Sequence, residues 1–186
     1  MKTIKRIFLV ILIFGIAGIL LRGLFYRHLI SYKSIGQRST YLATNYKLID
    51  CLENSSDQKK LDIKEIIKLG LLITSKHLRF AATLKDNNDP NNLIASKTAN
   101  CVGYASFCAT TYTYLFKKYN LSSILTAKRQ IGQLYFLGFN INSFFTSPFF
   151  KDHDFVTIEN KVTGEIFAVD PTVNDYLLID FVTYKI

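Results

Sequence analysis

Three polar residues that are far apart in the sequence carry side chains that together could perform nucleophilic catalysis. Cys101 begins a segment rich in small residues that is predicted to be helical, His153 begins a run of strand-forming residues, and Asp170 ends the next such run. A thiol at a helix N-terminus meets unpaired backbone N–H groups and the positive end of the helix dipole, which favour the thiolate. An imidazole can take the thiol proton, and a carboxylate can orient that imidazole. The pattern therefore predicts a nucleophilic Cys101, with His153 as base and Asp170 as the orienting carboxylate.

A predicted β-hairpin brings the second and third of these residues together. Two runs of β-branched and aromatic residues, 153–159 and 165–170, flank a short segment with the composition of a turn. In an antiparallel pair joined by this turn, Phe155 lies opposite Val169 to within about two residues. The imidazole and the carboxylate are therefore expected at the same end of the sheet, within reach of each other.

The helix that carries the nucleophile is predicted to run from Cys101 to about Tyr119. Thr98 or Asn100 can cap its N-terminus with a side-chain oxygen. The backbone N–H of Cys101 is available there as one donor for an oxyanion, and Asn100 is the candidate for the second donor.

The remaining periodicity places helices before strands. An amphipathic helix is predicted over 61–80 and a short helix over 41–52, whereas 123–130 and 134–141 are typical of strands. This order indicates an α+β domain in which helices pack on one face of an antiparallel β-sheet.

The other cysteines and histidines are expected to be structural. Cys108 is predicted to lie in the core, Cys51 on a helix face and His77 within the amphipathic helix. Three cysteines cannot all pair, so a disulfide framework is not expected. Cysteine and histidine pairs at metal-ligand spacing are absent from the sequence, so no metal or other cofactor is expected.

The positive charge of the chain is concentrated near its N-terminus. Of 23 Lys and Arg residues, seven lie in residues 1–38, which contain no Asp or Glu, so the rest of the chain carries only a small excess over its 14 acidic residues. A nearly neutral domain lacks the basic surface that nucleic-acid binding requires. Nucleic acid is therefore not an expected partner.

An apolar run, 7–21, lies within this basic region. It would cover roughly 22 Å as a helix, short of a hydrocarbon core of ~30 Å, but an extension through Arg22 to Tyr26 is long enough. A cleaved signal peptide is the alternative, although no small-x-small cleavage motif follows the run. We expect residues 1–26 to be an uncleaved, single-pass membrane anchor, residues 27–40 a connector, and residues 41–186 a domain on the extracytoplasmic side.

Short motifs around the three candidate residues resemble those of the transglutaminase-like superfamily, which has a papain-like cysteine protease fold. The matching segments are Cys101-Val102-Gly103-Tyr104-Ala105, His153-Asp154-Phe155 and Val169-Asp170-Pro171-Thr172, in the family's order. The resemblance implies that Cys101 is the nucleophile, His153 the general base and acid, and Asp170 the orienting carboxylate. Family members often have a small residue and then Trp after the His, where this chain has Asp154 and Phe155.

These observations predict a membrane-anchored cysteine hydrolase or acyltransferase that acts on amide bonds of a peptide or protein. Either water or an amine could accept the acyl group. The alternative is a catalytically inactive binding module of the same fold in a membrane-associated complex. The aromatic segment 144–150 is expected to belong to the core or to a wall of the cleft. A second membrane contact is the less favoured alternative.

Overall fold

The computed structural model describes residues 2–56, 61–83 and 87–186. The composition of residues 53–57 and 85–92 predicts loops, and both segments lie partly outside the described ranges. The second loop ends earlier than predicted, because Asp89 caps a helix that begins at Pro90.

The elements follow one another in the following order. The helices are α1 (Lys2–Leu20), α2 (Arg22–Leu29), α3 (Tyr46–Ser55), α4 (Ile63–His77), α5 (Pro90–Ser96), α6 (Cys101–Lys118) and α7 (Pro171–Leu177). The strands are β1 (Ile30–Arg38), β2 (Arg79–Phe80), β3 (Thr98–Ala99), β4 (Leu125–Phe136), β5 (Phe139–Asn140), β6 (His153–Asn160), β7 (Ile166–Val169) and β8 (Thr183–Lys185). Two short 3₁₀ turns, Ile141–Phe144 and Pro148–Phe150, connect β5 to β6.

The main sheet confirms the α+β class and corrects the prediction that the sheet is antiparallel. Its strands have the order β7-β6-β4-β1-β8, with β5 paired to β4. Strand β8 runs parallel to β1, with Tyr32 opposite Tyr184, whereas the other pairs are antiparallel. The sheet is therefore mixed, because α7 crosses from β7 before the chain returns beside β1.

Strand β4 replaces two shorter predicted strands. The strands predicted over 123–130 and 134–141 are largely one continuous strand of 12 residues, with only Phe139–Asn140 separate. Gly132 lies inside it, in the gap between the two predicted strands. A Cβ atom at this position would lie 2.5 Å from the ring of Phe155 in β6, so the glycine makes room for that ring.

Strand β1 corrects the prediction that residues 27–40 are a connector. Residues 30–38 form an inner strand that pairs with β4 on one side and β8 on the other, and Tyr32 is fully buried. The sheet therefore begins upstream of residue 41, the predicted start of the domain. The polar composition of β1 resembles that of a linker, but its backbone hydrogen bonds come from strands distant in sequence.

Helices α4 and α6 form the main core with one face of the sheet. A capping box begins α4, since the side chains of Asp62 and Glu65 each accept a hydrogen bond from the other residue's backbone N–H. Gly70 lets α4 approach α6 closely, because a Cβ there would lie 2.2 Å from the Tyr112 ring. Both predicted helices, over 61–80 and from Cys101 to about Tyr119, are thus confirmed with slightly different ends.

The opposite face of the sheet is also covered, so the prediction of helices on one face is incomplete. Alternate residues of β6 point to opposite faces, and Phe155 packs with Tyr32, Ala168 and Val182 rather than with α6. Tyr26 of α2 packs against this second cluster.

The N-terminal helices do not form the single membrane-spanning helix that was predicted over residues 1–26. Among the described residues, no one helix is long and apolar enough to cross a membrane. The segments Ile11–Leu20 and Arg22–Leu29 meet the length and composition criteria only when combined, and they are bent by 68°. Arg22 lies at the bend, where it donates to the carbonyl oxygens of Ile19 and of Leu177 in α7.

Candidate active site

Cys101 is the first residue of α6, as predicted. Asn100 is the N-cap residue, and its side-chain oxygen accepts a hydrogen bond from Gly103 N–H at 3.2 Å. Gly103 allows β3 to pass close to this first turn, since a Cβ there would lie 2.6 Å from the Cβ of Ala99. The tight packing leaves Cys101 8% exposed. The N–H groups of the first helical turn have no acceptor within the helix, so they surround the sulfur with positive partial charge.

His153 and Asp170 lie together at one end of the sheet, as the hairpin predicted. Val156 pairs with Val169, one residue from the predicted register. The Nε2 atom of His153 lies 2.6 Å from Oδ2 of Asp170. The side chain of Asp170 is fully buried and that of His153 is 18% exposed.

The imidazole of His153 interacts with both Asp170 and Cys101, and both interactions raise its pKa. Cys101 and His153 also line the same pocket. Because Nε2 is bonded to Asp170, Nδ1 is the ring nitrogen that remains for the thiol. The structure therefore brings the three predicted residues together at one site.

The charges at this site favour an imidazolium beside a carboxylate. Burial lowers the pKa of His153, but the charge of Asp170 and the hydrogen bonds with Asp170 and Cys101 outweigh it, so this pKa lies well above its ordinary value. Burial raises the pKa of Asp170, but the charge and hydrogen bond of His153, followed by hydrogen bonds from Tyr32 and Val173, bring it below its ordinary value. Asp170 is therefore ionised at neutral pH.

Asp170 is held by more partners than the sequence predicted. Oδ1 accepts the backbone N–H groups of Thr172 and Val173 at 2.9 and 3.1 Å, since Asp170 is also the N-cap residue of α7. Oδ2 accepts the hydroxyl of Tyr32 at 2.8 Å in addition to the imidazole. Tyr32 was missed because it lies 138 residues away in a segment that resembles a linker.

The carboxylate next to His153 in the sequence belongs to a different cluster. Asp154 is fully buried, and its carboxylate accepts hydrogen bonds from two nitrogens of the Arg38 guanidinium, from Nε at 2.7 Å and from a second nitrogen at 3.2 Å. Arg129 lies 3.9 Å from the same carboxylate and donates to the carbonyl oxygen of Val102, beside the nucleophile. Asp154 thus anchors two arginines near the start of α6.

Two cavities meet at Cys101. The larger, of about 300 Å³, is called here the aromatic pocket, and Cys101, His153 and Thr172 lie at its base. Its walls are mostly apolar and consist of Phe80, Leu134, Ile141, Asn142, Phe145, Phe149, Phe150 and Asp152. A smaller cavity of about 200 Å³ on the other side includes Arg38, Asn88, Asn100 and Asp152. The aromatic segment 144–150 thus contributes to a wall of the cleft, which was the favoured interpretation.

Asn100, the predicted second oxyanion donor, is largely committed to the local fold. Its Oδ1 caps α6 and its Nδ2 donates to the carbonyl oxygen of Thr83 at 2.8 Å. One N–H of this amide remains, and Asn100 borders the smaller cavity with Cys101. Its role as an oxyanion donor stays a prediction.

The two other cysteines lie away from this site, and all three thiols are free within the described chain. Cys108 is fully buried in the core, where burial raises its pKa to about 12. Cys51 lies in α3 with its sulfur 3.1 Å from Nε2 of His77 in α4. The sequence predicted a structural role for each residue but not this pairing.

Comparisons with known proteins add no assignment. A scan against models of protein families finds no match, and neither does a search of curated proteins. The geometry of the site therefore carries the functional argument.

Proposed function

We propose that this protein is a cysteine-dependent hydrolase or acyltransferase that attacks amide bonds of a peptide or protein. The observation that carries the proposal is the convergence of Cys101, His153 and the buried Asp170 at one site, where Cys101 and His153 line one pocket and His153 is hydrogen-bonded to Asp170. The aromatic pocket supports it by giving a substrate access to one side of the sulfur. The motifs around the three residues further suggest membership of the transglutaminase-like superfamily.

The proposed reaction begins with the proton of the Cys101 thiol already on His153 Nδ1, since the raised pKa of that imidazole favours its charged form. The sulfur forms a bond to the carbonyl carbon, whose π electron pair moves to oxygen, and the backbone N–H of Cys101 stabilises that oxyanion. The oxyanion then re-forms the carbonyl, the carbon–nitrogen bond breaks, and His153 gives its proton to the leaving amine. Water or a second amine attacks the resulting thioester, loses its proton to His153, and releases Cys101.

Asp170 keeps His153 competent for both proton transfers. A carboxylate at Nε2 holds the ring in one orientation and stabilises its charged form. The burial of Asp170, together with four donors to its two oxygens, prevents the carboxylate from rotating away.

For the location of the enzyme we propose a single-pass anchor near the N-terminus and an extracytoplasmic domain. The support is the apolar sequence of α1, whose described side chains are mostly exposed, with Phe8 68% and Phe14 74% exposed. Such surfaces mark a site of contact with a membrane or another protein.

Thiol alkylation tests the proposal within one molecule. At pH 7 an unperturbed cysteine is only a few per cent thiolate, so we expect iodoacetamide to label Cys101 roughly 30-fold faster than Cys51 or Cys108. Mass spectrometry of peptides after short exposures gives the three rates, and His153→Ala should remove the advantage of Cys101. Equal rates for Cys101 and Cys51 in the unaltered protein would contradict the enzyme and leave the inactive binding module as the better interpretation.

A further inference from the structure

The aromatic pocket places exposed phenylalanines directly beside a candidate nucleophile. Phe145 is 43% and Phe150 48% exposed, and their ring centroids are 5.0 Å apart. Phe149 packs edge-on against Phe150 and borders both cavities at Cys101. An apolar concavity with a few polar groups at its base is the usual form of a ligand site.

The size of the pocket limits what it can hold. At about 300 Å³ it lies at the lower end of the range for small-molecule sites, which is ~300–1,000 Å³. This space suits one large side chain rather than an extended ligand. The mostly apolar walls and the carboxylate of Asp152 disfavour an acidic group, because a buried negative charge would be unpaired there.

A single unpaired hydroxyl lies among these apolar walls. Oγ1 of Thr172 is buried and has no hydrogen-bond partner within the part of the chain that the structure describes. Thr172 lines the pocket together with Cys101 and His153. A peptide offers an N–H or C=O beside its apolar side chain that can satisfy this hydroxyl, whereas the hydrocarbon tail of a fatty acyl group cannot.

We propose that the aromatic pocket is the acyl-side subsite of the cysteine enzyme and takes a large apolar side chain of a peptide substrate. This subsite assignment rests on the proposed function. The side chain lies next to the carbonyl that Cys101 attacks, and Thr172 bonds to the peptide backbone beside it.

Peptidyl chloromethyl ketones test the assignment, since the sulfur of Cys101 displaces chloride from the reagent and forms a thioether. Rates are measured with the N-acetyl-phenylalanyl and N-acetyl-aspartyl reagents, and each is divided by the rate with iodoacetamide, which carries no side chain. We expect the phenylalanyl ratio to exceed the aspartyl ratio at least about tenfold. Phe145→Asp should lower the phenylalanyl ratio about tenfold or more, whereas Phe144→Asp, a neighbour that is 77% exposed and outside the pocket, should leave it unchanged.

Two further measurements separate the peptide from other occupants. Thr172→Val, which keeps the shape and removes the hydroxyl, should lower the phenylalanyl ratio by about tenfold. A hexadecanoyl chloromethyl ketone that reacts faster than the phenylalanyl reagent would overturn the peptide assignment. If the phenylalanyl and aspartyl ratios are equal while iodoacetamide still labels Cys101 faster than the other cysteines, the subsite assignment is overturned and the proposed function is not. If iodoacetamide labels Cys101 no faster than the other cysteines, the proposed function is overturned.

A separate observation concerns the tyrosine pair behind Asp170. Because the ionised Asp170 can only accept, the hydroxyl of Tyr32 donates to it, and Tyr26 therefore donates to Tyr32 across 2.6 Å. Tyr32 is fully buried, and its ring lies against Phe155 with the centroids 5.2 Å apart. The hydroxyl pair links α2, at the N-terminus, to the carboxylate of the candidate site.

We infer that Tyr32 is a positioning residue, which holds the Asp170 carboxylate towards His153, and that Tyr26 orients Tyr32. This role also rests on the proposed function. The titratable groups that face Asp170 are His153 from β6, Tyr32 from β1, Tyr26 from α2 and Cys108 from α6. Of the tyrosines, only Tyr32 donates directly to the carboxylate.

The test is the pH dependence of the Cys101 alkylation rate in phenylalanine variants. Tyr32→Phe removes a donor that stabilises the ionised carboxylate, so the acid limb of the profile should move to higher pH, by about half a unit to one unit. Tyr26→Phe should move the acid limb less. Tyr184 of β8 packs against Phe155, and Tyr184→Phe should leave the acid limb where it is. Coincident acid limbs for Tyr32→Phe and Tyr184→Phe would overturn the inference, even where the Cys101 preference itself is retained.

Discussion

The chain contains two Cys–His pairs, and they differ in the group behind the imidazole. Cys51 lies 3.1 Å from Nε2 of His77, whose Nδ1 lies 2.8 Å from the carbonyl oxygen of Ile73. Cys101 lines the same pocket as His153 and raises the pKa of its imidazole, whose Nε2 lies 2.6 Å from a buried carboxylate oxygen. Both rings are therefore oriented by an acceptor, but only one acceptor carries a charge.

This difference decides which thiol can act as a nucleophile. The Ile73 carbonyl accepts a hydrogen bond from Nδ1–H and holds the ring of His77 in one tautomer, with Nε2 free to accept a hydrogen bond from the thiol. Burial raises the pKa of Cys51, a hydrogen bond with Ser55 lowers it, and the charge of Asp50 raises it further, for a net increase. Cys51 therefore remains a neutral thiol, and proximity to a histidine does not by itself activate a cysteine.

The positions of the two cysteines along their helices also favour Cys101 over Cys51 as the nucleophile. Cys101 occupies the first turn of α6, at the positive end of the helix dipole, whereas Cys51 lies in the second half of α3. The favourable effect of a helix N-terminus fades within one turn. The site at Cys101 thus combines a charged carboxylate with a helix terminus, and the pair at Cys51 has neither.

The largest predicted effect comes from removing the charge of Asp170. Asp170→Asn keeps a good N-cap for α7, but the amide no longer favours the imidazolium. We expect the iodoacetamide rate of Cys101 at pH 7 to fall roughly 30-fold, to that of Cys51, because the imidazole beside the sulfur no longer holds a stabilised positive charge. The measurement is site-resolved mass spectrometry.

The matched control for Asp170→Asn is His77→Ala. It should change the rate of Cys51 less than about threefold, since that thiol is already neutral. A large loss at Cys51 would show that an imidazole alone activates a thiol in this protein, and the distinction between the pairs would fail.

Next in size is the predicted separation of the two pH profiles. The pKa of His153 is raised above 6.5 and that of Asp170 is lowered below 3.8, so the ion pair persists from below pH 3.8 to well above pH 6.5. The Cys101 rate should therefore be nearly flat between about pH 5 and pH 7. The Cys51 rate should rise only as the pH passes the ordinary thiol value of 9.0, since its pKa is raised.

Parallel pH profiles for Cys101 and Cys51 would contradict an ion pair of His153 and Asp170 beside Cys101. The comparison is internal, because the same sample supplies both rates at every pH. His153→Ala provides the reference, in which the Cys101 profile should become as steep as that of Cys51.

The contrast between the pairs also shows what the sequence could and could not predict. His153 and Asp170 belong to one hairpin, so a count of residues across its turn was enough to place them together. The contact between Cys51 and His77 depends on how α3 packs against α4, which no local pattern specifies. Tyr32 was missed for a related reason, since the polar strand that carries it is recognisable only through its long-range partners β4 and β8.

The smallest predicted effect is that of Cys51→Ala. Truncation of one half-buried side chain should lower the free energy of unfolding by about 1 kcal/mol, measured by urea denaturation. The alkylation rate of Cys101 should stay within twofold of its original value. Cys51 and Cys101 lie on different helices and share no hydrogen-bond partner among the described residues. A clear fall in that rate would mean that the two pairs are energetically coupled through the core, and the charge of Asp170 would then not be a sufficient account of why one thiol is reactive.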